Sequence, residues 1–475
     1  MSNITRPITE LVADVKAGKL SVVSLVQESL DAIKANEDYH AVLEVNPAAL
    51  EEAKKLDEQI AAGIIDGELL GVPYIAKDNF LTVGTHTTAA SKILEPFKAP
   101  YESTATQKLK DAGAILVAKA NMDAFAHGSS TENSDFGRTK NPVNPAYVPG
   151  GSSGGSAAAV KLGLATFALG TDTGGSIRQP ASYSGVVGLK PTYGLVSRYG
   201  VVAMASSTDC IGPMTRNIAD AELVLDVIAG KDKMDSTTID REPSYIDVVT
   251  DKKLRVGIVG EHIIGDPEDR FSKFVYDAKD MLEKQGAEVN VISLPSLHHA
   301  LAAYYVLVPA EISSNLSRYD GVRFGYHAKD VSNLSELYFK SREEGLGSEA
   351  KRRILIGTYV LSSGYYDAYY KRAQKVRTKI INEFKAMFGE YDVLMGPTTP
   401  TPAFISGFIQ DPIEMYRGDV MTVAANLVGI PALSVPIAEI KAQADDVMPM
   451  GLQLLADQGN ENILFQVAKQ LENAS

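Results

Sequence analysis

The sequence predicts an α/β layered fold, and three observations carry that expectation. Stretches with helical periodicity alternate with short apolar runs that read as strands. Residues 141–200 are rich in glycine and serine, yet apolar stretches at 157–164, 165–169 and 186–189 interrupt them, which reads as tightly turned core backbone and not as a linker. The chain has 475 residues, 45% of them hydrophobic and 22% charged, enough to bury a large core without a disulfide or metal staple.

The elements follow in order. Ser21 is expected to cap a helix over residues 22–35, with Val23, Leu25, Val26, Leu30 and Ile33 as its apolar stripe. Asn46-Pro47 is expected to open a second helix with Pro47 at its first position. Residues 71–77 read as a short strand ending in polar residues, 104–112 as a helix and 114–118 as a strand. Residues 232–250 are largely polar and read as a loop. A strand over 254–259, a helix over 266–285 and a strand over 288–292 come next. Helices are expected over 301–316 and 349–388, and 393–395 precedes a rigid, proline-rich loop over 396–402. No internal repeat and no clean domain boundary stands out.

Charge and cysteine usage narrow the function classes. Lys and Arg total 46 against 59 Asp and Glu, a net charge of −13, so the chain is not expected to grip nucleic acid by itself. Its one cysteine, Cys210, excludes an internal disulfide and a Cys-based zinc or iron–sulfur site, and fits a reducing compartment. No apolar run approaches the roughly 18 residues of a membrane span. The first residues, MSNITRPITELVADV, lack the basic-then-apolar order of a signal peptide.

Two glycine–serine loops are the strongest local signals: Gly150-Gly151-Ser152-Ser153-Gly154-Gly155-Ser156 and Gly170-Thr171-Asp172-Thr173-Gly174-Gly175-Ser176-Ile177-Arg178. Glycines let backbone N–H groups converge, so such loops can hold a phosphate or the oxyanion of an acyl-transfer intermediate. They can equally be close-packed turns. Neither has the Gly-Lys-Ser/Thr ending of a phosphate loop, and no G-x-G-x-x-G follows a strand, which disfavours nucleotide binding. Residues 150–154 satisfy G-x-S-x-G, but Pro142, Pro145 and Pro149 exclude the ordinary central strand that a nucleophile elbow needs. None of the seven histidines sits in a telling motif; His127, in a polar Gly/Ser-rich stretch, is the least dismissible. A buried, neutral lysine can activate a serine instead. Lys77 ends an apolar strand ahead of Asp78-Asn79 and is a candidate, its other reading being a surface lysine. Ser348-Glu349-Ala350-Lys351 matches S-x-x-K within a charged helical stretch and reads as chance.

VPGGSSGGSAAAV at 148–160 and ALGTDTGGSIRQPASYSGVVGLKPTYGLVSRYG at 168–200, with Lys77-Asp78-Asn79 ahead of them, resemble the amidase signature family. The resemblance implies that Ser176 is the nucleophile. It implies that Ser152, after a cis Gly151–Ser152 peptide, is a bridging serine and Lys77 the base. It places the oxyanion hole at the N–H groups around Thr173, Gly174, Gly175 and Ser176. Asp172 and Arg178 flank the nucleophile as an expected ion pair. The segments 121–137, 311–325, 351–378 and 416–436 resemble one branch, the A subunits of glutamyl-tRNA(Gln)/aspartyl-tRNA(Asn) amidotransferases.

In that branch Tyr304, Arg353 and Asp419 would hold glutamine, an arginine fork meeting the α-carboxylate and an aspartate the α-ammonium. Ala124 and His127 depart from the glutamate and methionine usual there, and Cys210 from a polar residue.

The resemblance further implies one amidase domain over 8–470, with a signature core at about 65–220. Its fold would be a large mixed sheet sandwiched between helices. The expected activity is glutamine hydrolysis through a Ser-Ser-Lys triad, supplying ammonia to convert Glu-tRNA(Gln) to Gln-tRNA(Gln), and Asp-tRNA(Asn) likewise. The expected partners are subunits B and C in a cytoplasmic heterotrimer. The misacylated tRNA, ATP and Mg would sit on the partner, with no metal or cofactor in this chain and no membrane contact. The other reading is a stand-alone amidase acting on another small amide.

Overall fold

The computed structural model describes residues 2–64, 66–240 and 252–472. Eleven strands among them form one sheet: β1 (Val42–Val45), β2 (Pro73–Lys77), β3 (Ile115–Ala120), β4 (Phe167–Asp172), β5 (Val187–Lys190), β6 (Cys210–Thr215), β7 (Arg255–Val259), β8 (Glu288–Ile292), β9 (Val393–Pro397), β10 (Ala432–Lys441) and β11 (Val447–Leu455). Their spatial order is β1-β3-β2-β4-β6-β5-β10-β11-β9-β7-β8. The sheet is mixed. β2 runs parallel to β3 and β4, and β7 to β8 and β9, whereas β6, β10 and β11 pair antiparallel with their neighbours.

Both faces of this sheet are packed. Successive side chains of a strand point to opposite faces. In β9, Val393 and Met395 join one apolar cluster and Leu394 joins another; in β7, Val256 and Ile258 join the first and Val259 the second. The first cluster holds the helices Ile8–Lys16, Val22–Ala35, Ile218–Ile228, Lys273–Lys284 and Glu461–Glu472. The second holds Ala300–Asn315, Arg372–Glu390 and Val423–Val428. Strands buried on both sides read as continuous apolar runs, as β9 does.

Local chemistry explains where the elements start and stop. Ser21 caps the helix Val22–Ala35, its hydroxyl accepting from the Ser24 N–H at 3.1 Å. The second helix runs Ala49–Ala61, so Pro47 lies before it and not at its first position. Asn46 Oδ1 accepts from the Ala48 N–H at 3.0 Å, and that turn delays the helix. The helix expected from 266 starts at Lys273, because Asp266 and Asp269 hold turns by accepting from the N–H groups of Glu268 and Phe271. The stretch 349–388 is not one helix. Ser348–Leu361 ends where the Ser362 hydroxyl donates to the Tyr359 carbonyl and Gly364 turns left-handed at φ +88°. A π-helical turn, Tyr366–Lys371, then leads into Arg372–Glu390. Residues 232–240 form turns, and the rest of the loop expected there, 241–250, lies outside the described residues. Among the described residues no helix is long and apolar enough to cross a membrane.

Candidate active site

Lys77 is the last residue of β2, a strand buried along its whole length. β2 and β4 pair in parallel, so both end on the same side of the sheet. There the Lys77 Nζ meets four oxygens: Ser152 Oγ at 2.7 Å, Ser153 Oγ at 2.8 Å, Thr171 Oγ1 at 2.9 Å and the Thr171 carbonyl at 3.4 Å. Burial pushes the ammonium down to about 7, while the charges of Asp123, Asp172 and Asp209 work the other way. Near neutral pH much of this lysine is a free amine, with two hydrogens and one lone pair.

The surrounding hydroxyls decide where these go. The Ser153 hydroxyl donates to the Thr171 carbonyl at 3.2 Å, so its oxygen accepts from Lys77. Asn79 Nδ2 fixes the Thr171 hydroxyl at 3.0 Å. With the amine hydrogens on Ser153 and Thr171, the lone pair is left for the hydroxyl of Ser152.

Ser152 follows a cis peptide from Gly151. The Gly151 N–H donates to Gln179 Oε1 at 2.8 Å, and Gln179 in turn donates to the Ser129 carbonyl at 2.9 Å. The next turn opens the helix Gly154–Lys161, in which Gly155 lies against the backbone of Asn121 and Ala41, leaving no room for a Cβ. The two loops are stitched together, since the Ser153 N–H donates to the Ser176 carbonyl at 3.2 Å. Their depths differ. Lys77 and Ser152 are fully buried, whereas Ser176 keeps 9% of its surface exposed.

Asp172 organises the loop that carries Ser176. Its carboxylate accepts from the N–H groups of Gly175 (2.9 Å) and Ile177 (3.1 Å) and from Asn426 Nδ2 (2.9 Å). It also takes a two-pronged fork from Arg178 Nε and Nη2, each at 3.0 Å. Burial alone would raise this carboxyl; Arg178 overrides that and holds it well below the usual carboxylate range. The expected ion pair is therefore present and fully buried.

The Gly175 N–H, expected in the oxyanion hole, is engaged by Asp172. Among the described residues no acceptor is found for the N–H groups of Thr173, Gly174 or Ser176, and these stay available. The Thr173 hydroxyl donates to Asp209 at 2.7 Å, and burial raises that carboxyl to about 6.

The three residues expected to hold substrate meet around Tyr305. The Tyr304 ring packs so closely on Gly174 that any side chain there would collide with it. Arg353 is buried. Its Nε donates to Glu349 Oε1 at 2.8 Å, and its guanidinium lies 5.4 Å from the Tyr305 ring centre and 5.3 Å from that of Tyr416. Among the described residues its two terminal nitrogens make no hydrogen bond, which leaves a fork free for a carboxylate. Asp419 Oδ2 accepts from the Tyr305 hydroxyl at 2.7 Å, and burial raises this carboxyl to about 6. A cavity of about 350 Å³, lined by Ser129, Ser130, Glu349, Arg353 and Tyr416, opens beside Arg353.

His127 and Ala124, the two departures, are buried. Neither ring nitrogen of His127 has a partner among the described residues, and burial next to the charge of Arg353 keeps the ring neutral. Cys210, the third, is buried in β6 with its Sγ 3.7 Å from the Lys190 Nζ. Among the described residues no group of three or more His, Cys, Asp or Glu could hold a metal ion.

Comparison with known proteins gives the family. The family profile described as Amidase matches residues 24–465. The A subunit of the glutamyl-tRNA(Gln) amidotransferase from Halothermothrix orenii is 52% identical over 416 residues, 87% of this chain and 86% of that protein. Its counterpart in Geobacillus thermodenitrificans is 48% identical over 481 residues, 100% of this chain and 98% of that protein. Among solved structures, the A subunit of the Thermotoga maritima glutamyl-tRNA(Gln) amidotransferase superposes with a TM-score of 0.78 at 38% identity, covering 98% of this chain and 94% of that one. The peptide amidase of Stenotrophomonas maltophilia superposes at 0.81 with 30% identity, covering 98% and 96%. The chain belongs to the amidase signature family, in the branch formed by the A subunits of glutamyl-tRNA(Gln) amidotransferases.

Proposed function

We propose that the chain is the glutamine-hydrolysing subunit of a tRNA-dependent amidotransferase, with Lys77, Ser152 and Ser176 as its catalytic triad. The observation that carries this reading is the buried amine of Lys77, brought near neutrality and 2.7 Å from Ser152, beside a loop in which Ser176 keeps 9% of its surface exposed. Ser176 Oγ attacks the side-chain amide carbon of glutamine, and its proton passes to Ser152 as Ser152 passes its own to Lys77. The tetrahedral oxyanion meets the free N–H groups of Thr173, Gly174 and Ser176. Lys77 returns the proton through Ser152 to the departing nitrogen, and ammonia leaves. Water, deprotonated along the same relay, then cleaves the acyl–Ser176 ester and frees glutamate.

Arg353 would take the α-carboxylate, Asp419 the α-ammonium, and Tyr304 would close the pocket above Gly174. Ammonia would be used by a partner that activates Glu-tRNA(Gln), or Asp-tRNA(Asn), with ATP and Mg. Subunits B and C in a cytoplasmic heterotrimer fit that division of labour, as does the net charge of −13, which leaves tRNA binding to the partner.

The test is ammonia release from L-glutamine, by the chain alone and then with its companion subunits, ATP and Glu-tRNA(Gln). Release that is lost in Ser176→Ala and rises with the partners supports the reading. A folded chain that cleaves other small amides and releases nothing from glutamine overturns it in favour of a stand-alone amidase.

Two further outcomes are expected from the same assay. Arg353→Ala removes a charge-assisted fork made in ground and transition state alike, so KM for glutamine should rise by about 100-fold with kcat little changed. Asp419 must be ionised to hold an ammonium, and its carboxyl sits at about 6. KM should therefore climb as pH falls below about 6, and Asp419→Asn should abolish that climb.

A further inference from the structure

His127 is a polar side chain that the fold leaves unanswered. It is fully buried, and neither Nδ1 nor Nε2 has a hydrogen-bond partner among the described residues. Buried polar groups are nearly always paired, so a ring with two bare nitrogens calls for an explanation. Slack in the backbone does not supply one. The His127 N–H donates to the Ala124 carbonyl at 3.0 Å, and the His127 carbonyl accepts from Asn133 Nδ2 at 3.0 Å. Asp123 ties down the following turn, its carboxylate accepting from the N–H groups of Thr131 at 2.9 Å and Asn133 at 3.1 Å. Phe125 and Ala126, just ahead of the ring, are held in left-handed backbone at φ +53° and +62°. Non-glycine residues persist there only where the surroundings enforce it, and such positions cluster at active sites and ligand clamps.

The neighbours narrow the partner. Gly128, Ser129 and Ser130, which follow His127, line the same cavity of about 350 Å³ as Arg353. Arg353 is buried too, and among the described residues its two terminal nitrogens are unengaged. Burial and the charge of Arg353 hold the His127 ring well below the ordinary range of histidine. A neutral imidazole carries one N–H and one lone pair, and a ring that resists protonation is a weak base. The N–H is then its useful group. A metal ion would need further ligands, and among the described residues no group of three or more His, Cys, Asp or Glu could hold one. An acceptor shared with the guanidinium fork suits the ring better. A carboxylate has about four lone-pair sites, of which a fork takes two, so it has room for a third donor.

We propose that His127 is a further binding residue of the substrate site, donating its ring N–H to the α-carboxylate that Arg353 takes. The proposal rests on the reading of the chain as a glutamine hydrolase. It makes the carboxylate end of the pocket a three-donor site, two from Arg353 and one from His127. It also adds discrimination, because an amide without the carboxylate leaves a buried N–H unpaired.

The experiment compares the full chain, with its companion subunits present, as wild type, His127→Met and His127→Gln. Methionine has no N–H to give and fills much of the space of the ring, whereas glutamine restores a donor. In His127→Met, KM for L-glutamine should rise about 10-fold with kcat within about 2-fold, because the hydrogen bond is made in ground and transition state alike. His127→Gln should bring KM back to within about 3-fold of the wild type. A second substrate, 4-aminobutanamide, is glutamine without its α-carboxylate and separates binding from packing. The ratio of kcat/KM for L-glutamine to that for 4-aminobutanamide should fall about 10-fold in His127→Met. An unchanged KM in His127→Met overturns the proposal. So does an equal loss on both amides, or a His127→Gln no better than His127→Met, either of which leaves the ring a packing role. A wild type that cleaves 4-aminobutanamide and not L-glutamine fails the glutamine reading itself, and this proposal falls with it.

Discussion

Replacing Lys77 by methionine is expected to slow glutamine hydrolysis by about three orders of magnitude while the chain stays folded. General-base assistance contributes about 10²–10⁴-fold, and Lys77 Nζ is the group that meets the Ser152 hydroxyl, at 2.7 Å. Methionine nearly conserves the buried volume, so the loss reads as lost proton transfer and not as collapse. Two pH measurements check it. In the wild type the rate should rise through about pH 7 as Lys77 loses its proton, and Lys77→Met should show a low, flat profile across that limb. Stability should respond as well. The folded-state value, about 7, lies below the 10.5 of the free side chain, so between those pH values the unfolded chain binds more protons. Wild-type stability therefore gains a rising contribution from pH 7 to 10.5, and the variant should lack it. An unchanged rate in Lys77→Met would remove this lysine from the mechanism.

Arg178→Leu is expected to be the most destabilising single change near the site. The Arg178 guanidinium is fully buried, forks onto Asp172, and donates to Gln453 Oε1 and Asn426 Oδ1, each at 2.6 Å, and to the Thr422 carbonyl at 3.0 Å. Removing it leaves a buried carboxylate without its counter-charge, which costs about 3–5 kcal/mol. The urea midpoint should fall accordingly. Activity should vanish, because Asp172 also fixes the loop through Gly175 and Ile177. Arg178→Lys restores the charge but not the fork and should recover part of the stability only. A midpoint unmoved in Arg178→Leu would mean that Asp172 is neutral in the fold.

Local signals in the chain are legible and distant ones are not. The helix Val22–Ala35 and the strand Glu288–Ile292 fall where periodicity and capping place them, because the determinants sit inside the segment. The break at Ser362–Gly364 is marked only by a short Ser-Ser-Gly, which the helical apolar spacing on either side outweighs in a reading by periodicity. Lys77, Ser152 and Ser176 stand out through motif resemblance, and packing brings the first two into contact across 75 residues of chain. Ser153 and Thr171 stand inside the glycine–serine loops, but nothing in those loops says that their hydroxyls would use up the hydrogens of the lysine. Gln453, which meets Arg178 across 275 residues, carries no local mark at all. The N–H groups expected in the oxyanion hole illustrate the limit: four are equivalent along the chain, and only the fold reveals that Asp172 takes one of them.

The order of the sheet also bears on how the protein is made. β10 and β11 lie between β5 and β9, so the last strands in the chain join its two halves. Until residues 432–455 have left the ribosome, β5 and β9 each present an unpaired edge, and Arg178 has no Gln453 to meet. A nascent chain can therefore be nine-tenths complete and still have no working site. For that interval it carries two open strand edges, the feature through which neighbouring chains aggregate. Chaperone demand should accordingly fall late in translation, in one step, when the hairpin of β10 and β11 closes the sheet.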